Sequence, residues 1–261
     1  MTDDSQAFDR QFGGVGRLFG ASGADRIFNS HAVIVGIGGV GSWSAEAFAR
    51  SGVSTITLID LDHIAPSNIN RQIHATQETF GKAKVLAMRD RILSINPACH
   101  VHVIEEFVSE ANISACLDPI LLEAGPQQIC VVDACDQVRA KAALAAWAVA
   151  HRVIFVTVGA AGGKRLAHRI DCDDIASVTH DPLIAQVRYH LRRYHGGKRA
   201  GAMGVTGIFS REAVAKSQTV GAAEGNLNCH GYGSMVAVTA SFGMAAAGWC
   251  LDQFAKQKVD A

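Results

Sequence analysis

The sequence predicts an α/β fold: a mostly parallel sheet with helices on both faces and an elaborated C-terminal half. Three observations predict it. Short apolar runs alternate with helical segments over residues 31–160, the first of those runs ends on a glycine-rich loop, and the composition can bury a core. Hydrophobic residues make up 49% of the 261-residue chain and charged residues 18%, which excludes a chain disordered by composition.

The elements follow in order. Residues 32–35 (AVIV) form a short apolar strand, and 43–50 read as the helix after the glycine loop. Residues 55–59 (TITLI) are a second strand. Val85, Met88, Ile92 and Ile95 fall at helical spacing within 82–95, and Pro97 stops that helix. Residues 101–104 read as strand; 129–132 (ICVV) and 153–158 (VIFVTV) are buried strands on either side of an Ala-rich helix over 138–150. After Gly159 the rhythm changes. A strand is expected at 165–170, a basic helix at 183–194, a strand at 203–209, a Gly/Asn-rich loop at 217–231 and a final helix from about 234 to 255. One domain over 1–261 is expected.

Lys+Arg and Asp+Glu are equal at 24 each, so the chain is not a polycation. A histone-like binder is excluded and no DNA partner is expected, while a local basic patch remains compatible with neutrality. The seven cysteines contain no Cys-x-x-Cys pair, which argues against a four-cysteine zinc site. Their odd number and the polar start Met1–Arg10 fit a reducing cytoplasm. Gly231–Leu251 carries no charge and is about long enough to span a bilayer. Its Ser234, Thr239 and Ser241, and the lack of flanking arginine clusters, favour a buried core or dimer helix over membrane association.

Gly36-Ile37-Gly38-Gly39-Val40-Gly41 follows a strand and opens a helix. Glycines let the backbone approach a phosphate, and the helix start supplies N–H donors and partial positive charge. This is the Rossmann-like arrangement, with Gly36, Gly38, Gly39 and Gly41 as candidate nucleotide-binding residues. Asp60 ends the second strand, where a ribose-binding carboxylate belongs. The loop alone does not separate NAD from ATP. Asp62, Asn68, Arg71, Gln72 and Lys84 follow just past the carboxyl ends of the strands. An adenylating enzyme must neutralise three phosphates and a departing pyrophosphate, so several fixed cations favour ATP.

Residues 8–160 resemble the ThiF/MoeB/HesA superfamily, relatives of ubiquitin-activating enzymes. The resemblance rests on Arg10-Gln11, Gly36–Gly41, Asp60-Leu61-Asp62, Ser67–Gln72, the Gly-x-x-Lys that ends at Lys84, and Asp133-Ala134-Cys135-Asp136. It implies that Asp60 holds the ribose, that Asn68, Arg71 and Lys84 contact phosphate, and that Asp136 holds Mg²⁺. On the residues alone, the alternative for Asp136 is the N-cap of the helix that follows. Arg10 resembles an arginine that reaches the neighbouring subunit's nucleotide site, which implies a homodimer with 1–30 as its arm and 31–160 as the nucleotide-binding core. Gln137 departs mildly from the family pattern, which often has Asn there.

Gln11-Phe12-Gly13-Gly14, Arg17-Leu18-Phe19-Gly20, Gly159–Lys164, His180-Asp181-Pro182-Leu183 and Asn228–Ser234 extend the likeness over essentially the whole chain. Together they resemble the tRNA threonylcarbamoyladenosine dehydratase branch of the superfamily. That branch implies ATP-dependent closure of a threonylcarbamoyl side chain in tRNA beside the anticodon, with 161–261 facing the tRNA. It leaves a monovalent cation and a cysteine desulfurase or other sulfur-acceptor partner open. The alternative is adenylation of the C-terminus of a ubiquitin-like sulfur-carrier protein.

Charge patterning adds an independent signal. No acidic residue lies between Pro182 and Ser210, while Arg188, Arg192, Arg193, Lys198 and Arg199 do, interleaved with Tyr189 and Tyr194. Such a stripe can hold an RNA backbone and stack an unpaired base; a solvated helix face would look the same. Cys229 sits in the Asn/Gly-rich loop, and its role as nucleophile, sulfur acceptor or loop anchor stays open. Candidate catalytic residues are thus Arg10, Arg71, Lys84, Asp136 and Cys229. His31 and His74 are expected at the surface or in local hydrogen bonds.

Overall fold

The computed structural model describes residues 3–215 and 232–257, with side chains from Phe8 onward. Seven strands form one sheet: β1 (His31–Val35), β2 (Thr55–Ile59), β3 (His100–Ile104), β4 (Ile129–Asp133), β5 (Ile154–Val158), β6 (Ile170–Asp174) and β7 (Thr206–Ser210). Their order is β3-β2-β1-β4-β5-β7-β6, and every neighbouring pair is parallel except β6 with β7. The helices are α1 (Asp3–Phe28), α2 (Gly41–Arg50), α3 (Lys84–Ile95), α4 (Ile113–Ala124), α5 (Val138–His151), α6 (Pro182–Tyr194) and α7 (Val236–Lys256). The fold is Rossmann-like α/β.

β1 is buried along its whole length, as a parallel strand between two helical layers must be. On one face Ala32, Ile34, Ile56, Leu58 and Val156 pack with α2, α3 and α7. On the other, Val33, Val35, Val131 and Phe155 pack with α4, α5 and α6. Two helices not expected from sequence appear. α1 bends at Gly20, whose φ of 73° admits the turn, and α4 contains Pro119.

The strand expected at 165–170 lies further on. Residues Ala167–Arg169 form a 3₁₀ turn and β6 starts at Ile170. β6 reads IDCDD and lies at the sheet edge, half exposed. Charges on an edge strand discourage pairing with other chains, and they also erase the apolar alternation that marks a strand.

The uncharged C-terminal segment turns its apolar face inward. Val238, Phe242, Ala246, Ala247, Cys250, Leu251 and Phe254 recur at helical spacing and are buried. Arg26 donates to the carbonyls of Phe254 (3.1 Å) and Ala255 (2.6 Å), tying α1 to the end of α7. Among the described residues no helix is long and apolar enough to cross a membrane.

α7 crosses α2 at Gly243, where Ser44 Oγ donates to the Gly243 carbonyl at 3.0 Å. A Cβ there would collide with the Val40 carbonyl and lie 2.8 Å from Trp43 Cβ. Gly→Ala in an open helix stabilises by about 1 kcal/mol. Gly243→Ala should reverse that sign, destabilising by about 1–3 kcal/mol through overpacking, as read by urea denaturation.

Candidate nucleotide-binding site

β1 and β4 are neighbours whose connections leave in opposite directions, so the crevice at their carboxyl ends is the switch point of the sheet. Register sets its floor: Val35 pairs with Ile59 on one side and Asp133 on the other. Gly36 follows with φ 89°, and a Cβ there would stand 2.9 Å from both the Ala134 carbonyl oxygen and the Cys135 nitrogen. Gly41 begins α2 directly against the Gly36 carbonyl, a contact that admits no side chain. Gly38 faces open space, and Gly39 lies against the Arg71 stem and Thr239. At the start of α2 the Ser42 N–H donates to the Gly38 carbonyl at 3.2 Å, and the Trp43 and Ser44 N–H groups both donate to the Val40 carbonyl at 3.1 Å, so the N–H groups open to an anion are those of the loop itself, Gly38 to Gly41.

Asp60 is buried beside this loop. Its Oδ2 accepts from the Ile37 N–H at 2.6 Å and its Oδ1 from the Asp62 N–H at 2.8 Å. Burial raises its pKa, opposed by the Lys84 charge and those two N–H groups. Each oxygen retains a lone pair for a ribose hydroxyl.

Lys84 opens α3, buried, with Nζ 2.7 Å from Asp62 Oδ2 and 4.0 Å from Asp60 Oδ2. A cation at a helix N-terminus is unfavourable unless anions surround it, so two acids hold this one. Arg71 donates through Nη1 to the Ser67 carbonyl (2.8 Å) and Asn70 Oδ1 (2.9 Å). Its own carbonyl is clamped by Trp43 Nε1 at 3.0 Å. Asn68 is buried and shapes the turn, accepting from the Ala65 N–H at 3.0 Å. Gln72 is buried, and its Oε1 has no partner among the described residues.

Asp136 is exposed, two residues before the start of α5. The N-cap position belongs to Gln137, which makes no side-chain cap, so Asp136 does not have the capping role open to it from sequence. Its carboxylate makes no hydrogen bond or ion pair among the described residues, and it follows the turn that abuts Gly36. Mg²⁺ takes one or two carboxylates together with substrate phosphates, and a single uncommitted acid at this edge suits that chemistry.

The remaining expected residues lie elsewhere. Arg10 is exposed on α1, two residues before Phe12, and Phe12 and Phe28 pack on Gly52 near the amino end of β2. The chain therefore does not bring Arg10 to its own glycine loop. Cys229 and the loop at 217–231 lie outside the described residues. Arg188 is committed to scaffolding: Nη1 donates to the carbonyls of Ile175 (2.8 Å) and Val178 (3.0 Å). Arg192 donates to the Lys198 carbonyl at 3.1 Å. Arg193, Lys198 and Arg199 are exposed, and the Arg193 guanidinium lies 6.0 Å and 5.5 Å from the Tyr189 and Tyr194 ring centres.

Sequence reasoning missed Trp43, the clamp on Arg71, and Lys141, a wholly buried lysine beneath Cys135. Lys141 shares a helix face with the buried Leu144, Ala145 and Ala148, and a lysine on such a face is a readable signal. The histidines also need correction. His31 is buried and bonds Thr57 Oγ1 at 2.8 Å; His74 is buried with neither ring nitrogen partnered among the described residues.

A glycine loop, a buried ribose-side acid and a lysine at a helix start, gathered at the switch point of a parallel sheet, define a nucleotide-binding α/β protein with provision for phosphate charge. The match to the ThiF family covers residues 8–180, and the chain belongs to that family. It is 40% identical to the tRNA threonylcarbamoyladenosine dehydratase of Escherichia coli over 93% of this chain and 92% of that protein. It is 36% identical to the Haemophilus influenzae protein of the same name over 96% and 95%. The crystal structure of the E. coli enzyme, TcdA, in complex with ATP superposes with a TM-score of 0.85 at 38% identity, covering 97% of this chain and 96% of that one.

Burial lowers the His74 pKa to about 3, helped by the Lys84 and Arg91 charges. The unfolded chain therefore binds this proton at a higher pH than the folded one does, so the stabilisation is complete above about pH 6.5 and declines as pH falls below it. His74→Phe should flatten the loss of stability between pH 6 and pH 4 by up to about 1.4 kcal/mol per pH unit, measured by urea denaturation across that range.

Proposed function

We propose that this chain is an ATP-dependent enzyme that dehydrates N6-threonylcarbamoyladenosine in tRNA beside the anticodon. The observation that carries the reading is likeness over nearly the whole chain to enzymes of that name, including one solved with ATP and also with AMP.

The threonyl carboxylate is a poor electrophile because it is anionic and has no good leaving group. Its attack on the α-phosphate of ATP forms an acyl-adenylate and releases pyrophosphate. The ureido oxygen then attacks the activated carbonyl, a ring closes, and AMP departs; the net change in the nucleoside is loss of water. Both reacting ends belong to one side chain, so closure is unimolecular. Asp60 and the glycine loop hold the nucleoside and phosphates. Lys84 and Arg71 stabilise charge on the phosphates as pyrophosphate leaves. Mg²⁺, held by Asp136, would neutralise the polyphosphate.

Arg10 supplies a further cation to the partner's site in a homodimer, in keeping with its placement away from its own. The tRNA lies along the C-terminal half. Arg193, Lys198 and Arg199 meet the RNA backbone there, Tyr189 and Tyr194 offer faces to an unpaired base, and Arg188 and Arg192 support them from within. Cys229 is retained as a candidate near the substrate. The enzyme works in the cytoplasm.

Purified protein given ATP, Mg²⁺ and tRNA with the open side chain should yield a nucleoside lighter by one water, with AMP, as read by mass spectrometry. Asp136→Ala should slow this about a hundredfold or more. Turnover of ATP that depends on a sulfur-carrier protein and not on tRNA would favour carrier adenylation instead. Mixing the inactive Arg10→Ala and Lys84→Ala proteins should restore partial activity, because one mixed site keeps both residues; no recovery after verified subunit exchange would reject the shared site.

A further inference from the structure

Beneath the glycine loop lies a buried ion pair that the proposed chemistry does not use. Lys141 and Asp133 are both fully buried, with Nζ 3.0 Å from Asp133 Oδ2. Lys141 Nζ also lies 3.2 Å from the Asp133 carbonyl oxygen and 3.1 Å from that of Cys135. Its three N–H donors thus meet three acceptors, two of them backbone carbonyls of one turn. Asp133 holds the turn from the other side. Its Oδ1 accepts from the Cys135 N–H at 3.3 Å and Sγ at 3.0 Å, while Oδ2 accepts from Thr157 Oγ1 at 2.7 Å.

We infer that Lys141 is a positioning residue for Asp136. The Asp136 carboxylate has no side-chain partner among the described residues, so its place is set by the backbone of the turn before it. That turn is also the wall against which Gly36 packs. Lys141 does a second thing. Without it, the buried Asp133 carboxylate would stand as an uncompensated negative charge under a loop that receives a triphosphate. Well-packed apolar residues replace buried ion pairs with little loss of stability, so stability alone does not account for a lysine here. Two hydrogen bonds to a turn that carries a metal-binding acid do account for it.

The inference rests on the reading of Asp136 as the Mg²⁺ ligand, and the test separates the two. ATP binding by the full chain is measured by calorimetry across a Mg²⁺ titration, beside thermal unfolding. Wild type should bind ATP more tightly with Mg²⁺; if Mg²⁺ has no effect on wild type, the Asp136 reading itself fails. The double variant Asp133→Asn/Lys141→Met removes both charges and should recover stability relative to Lys141→Met. It should nonetheless need about 10–100 times more Mg²⁺ for half-effect, the range typical of lost second-layer support to a metal ligand. Thr157→Val keeps both charges, folds as a near-isostere and should shift the Mg²⁺ midpoint in the same direction by a smaller factor. Lys141→Arg should retain more of the wild-type Mg²⁺ response than Lys141→Met. A double variant with wild-type Mg²⁺ dependence, or an unshifted Thr157→Val, would overturn the assignment.

Discussion

The candidate site depends on two strands meeting without side chains between them. β1 and β4 end level with each other, and the residues that follow the two strands meet in direct contact. Gly36 approaches the Ala134–Cys135 peptide so closely that a single methyl group would part them. If they parted, the start of α2 would leave the sheet, the Ile37 N–H would leave Asp60, and the turn carrying Asp136 would lose its wall. A cradle for phosphate is a backbone structure first, and its tolerance is set by atoms that glycine lacks.

Charge around that cradle is arranged in pairs that a nucleotide can rearrange. Lys84 is satisfied by Asp62 and more distantly by Asp60, and Arg71 rests on oxygens of its own turn. These partners keep buried or half-buried cations tolerable before an anion arrives. Asp62 is half exposed, so it can return to water when phosphate takes its place. Asp136 is left open on the other side. A neutral protein can in this way present a strong local field without a net charge that draws every polyanion to it.

How much of this the amino-acid sequence discloses depends on whether burial and local pattern agree. β1, β2, β4 and β5 are legible because strands buried on both faces read as unbroken apolar runs. The glycine loop and Asp60 are legible because their spacing is imposed by one strand-turn-helix unit. α1 is not, since five glycines within it (13, 14, 16, 20 and 23) suppress helix propensity and packing of Phe8, Phe12 and Phe28 overrides them. β6 hides behind its acids. In Asp133-Ala134-Cys135-Asp136 both carboxylates look alike on paper. Only the fold separates a wholly buried structural acid from an exposed one. The basic stripe shows the same limit, because composition does not reveal that Arg188 already serves two carbonyls while Arg193 stands free of the core.

The two halves of the site are joined by a short set of shared bonds. Asn70, between the phosphate-side residues Asn68 and Arg71, donates to the Ser234 carbonyl at 2.9 Å. The adjacent Gly233 carbonyl accepts from the Gly163 N–H at 2.8 Å, and Gly163 in turn accepts from the Ala215 N–H at 2.9 Å. Next to Gly163, the buried Lys164 donates to the Ser210 carbonyl at 3.2 Å and lies 3.8 Å from Asp181 Oδ2. Asp181 caps α6 through the Ile184 N–H at 3.0 Å. The helix that carries the exposed aromatic and basic residues is thus anchored to the same framework as the phosphate-side loop. A nucleotide fold needs only the first half of that framework to bind ATP. In the function proposed for the chain, the remainder is what fixes where the tRNA rests relative to the α-phosphate, and that relation decides which carboxylate is adenylated.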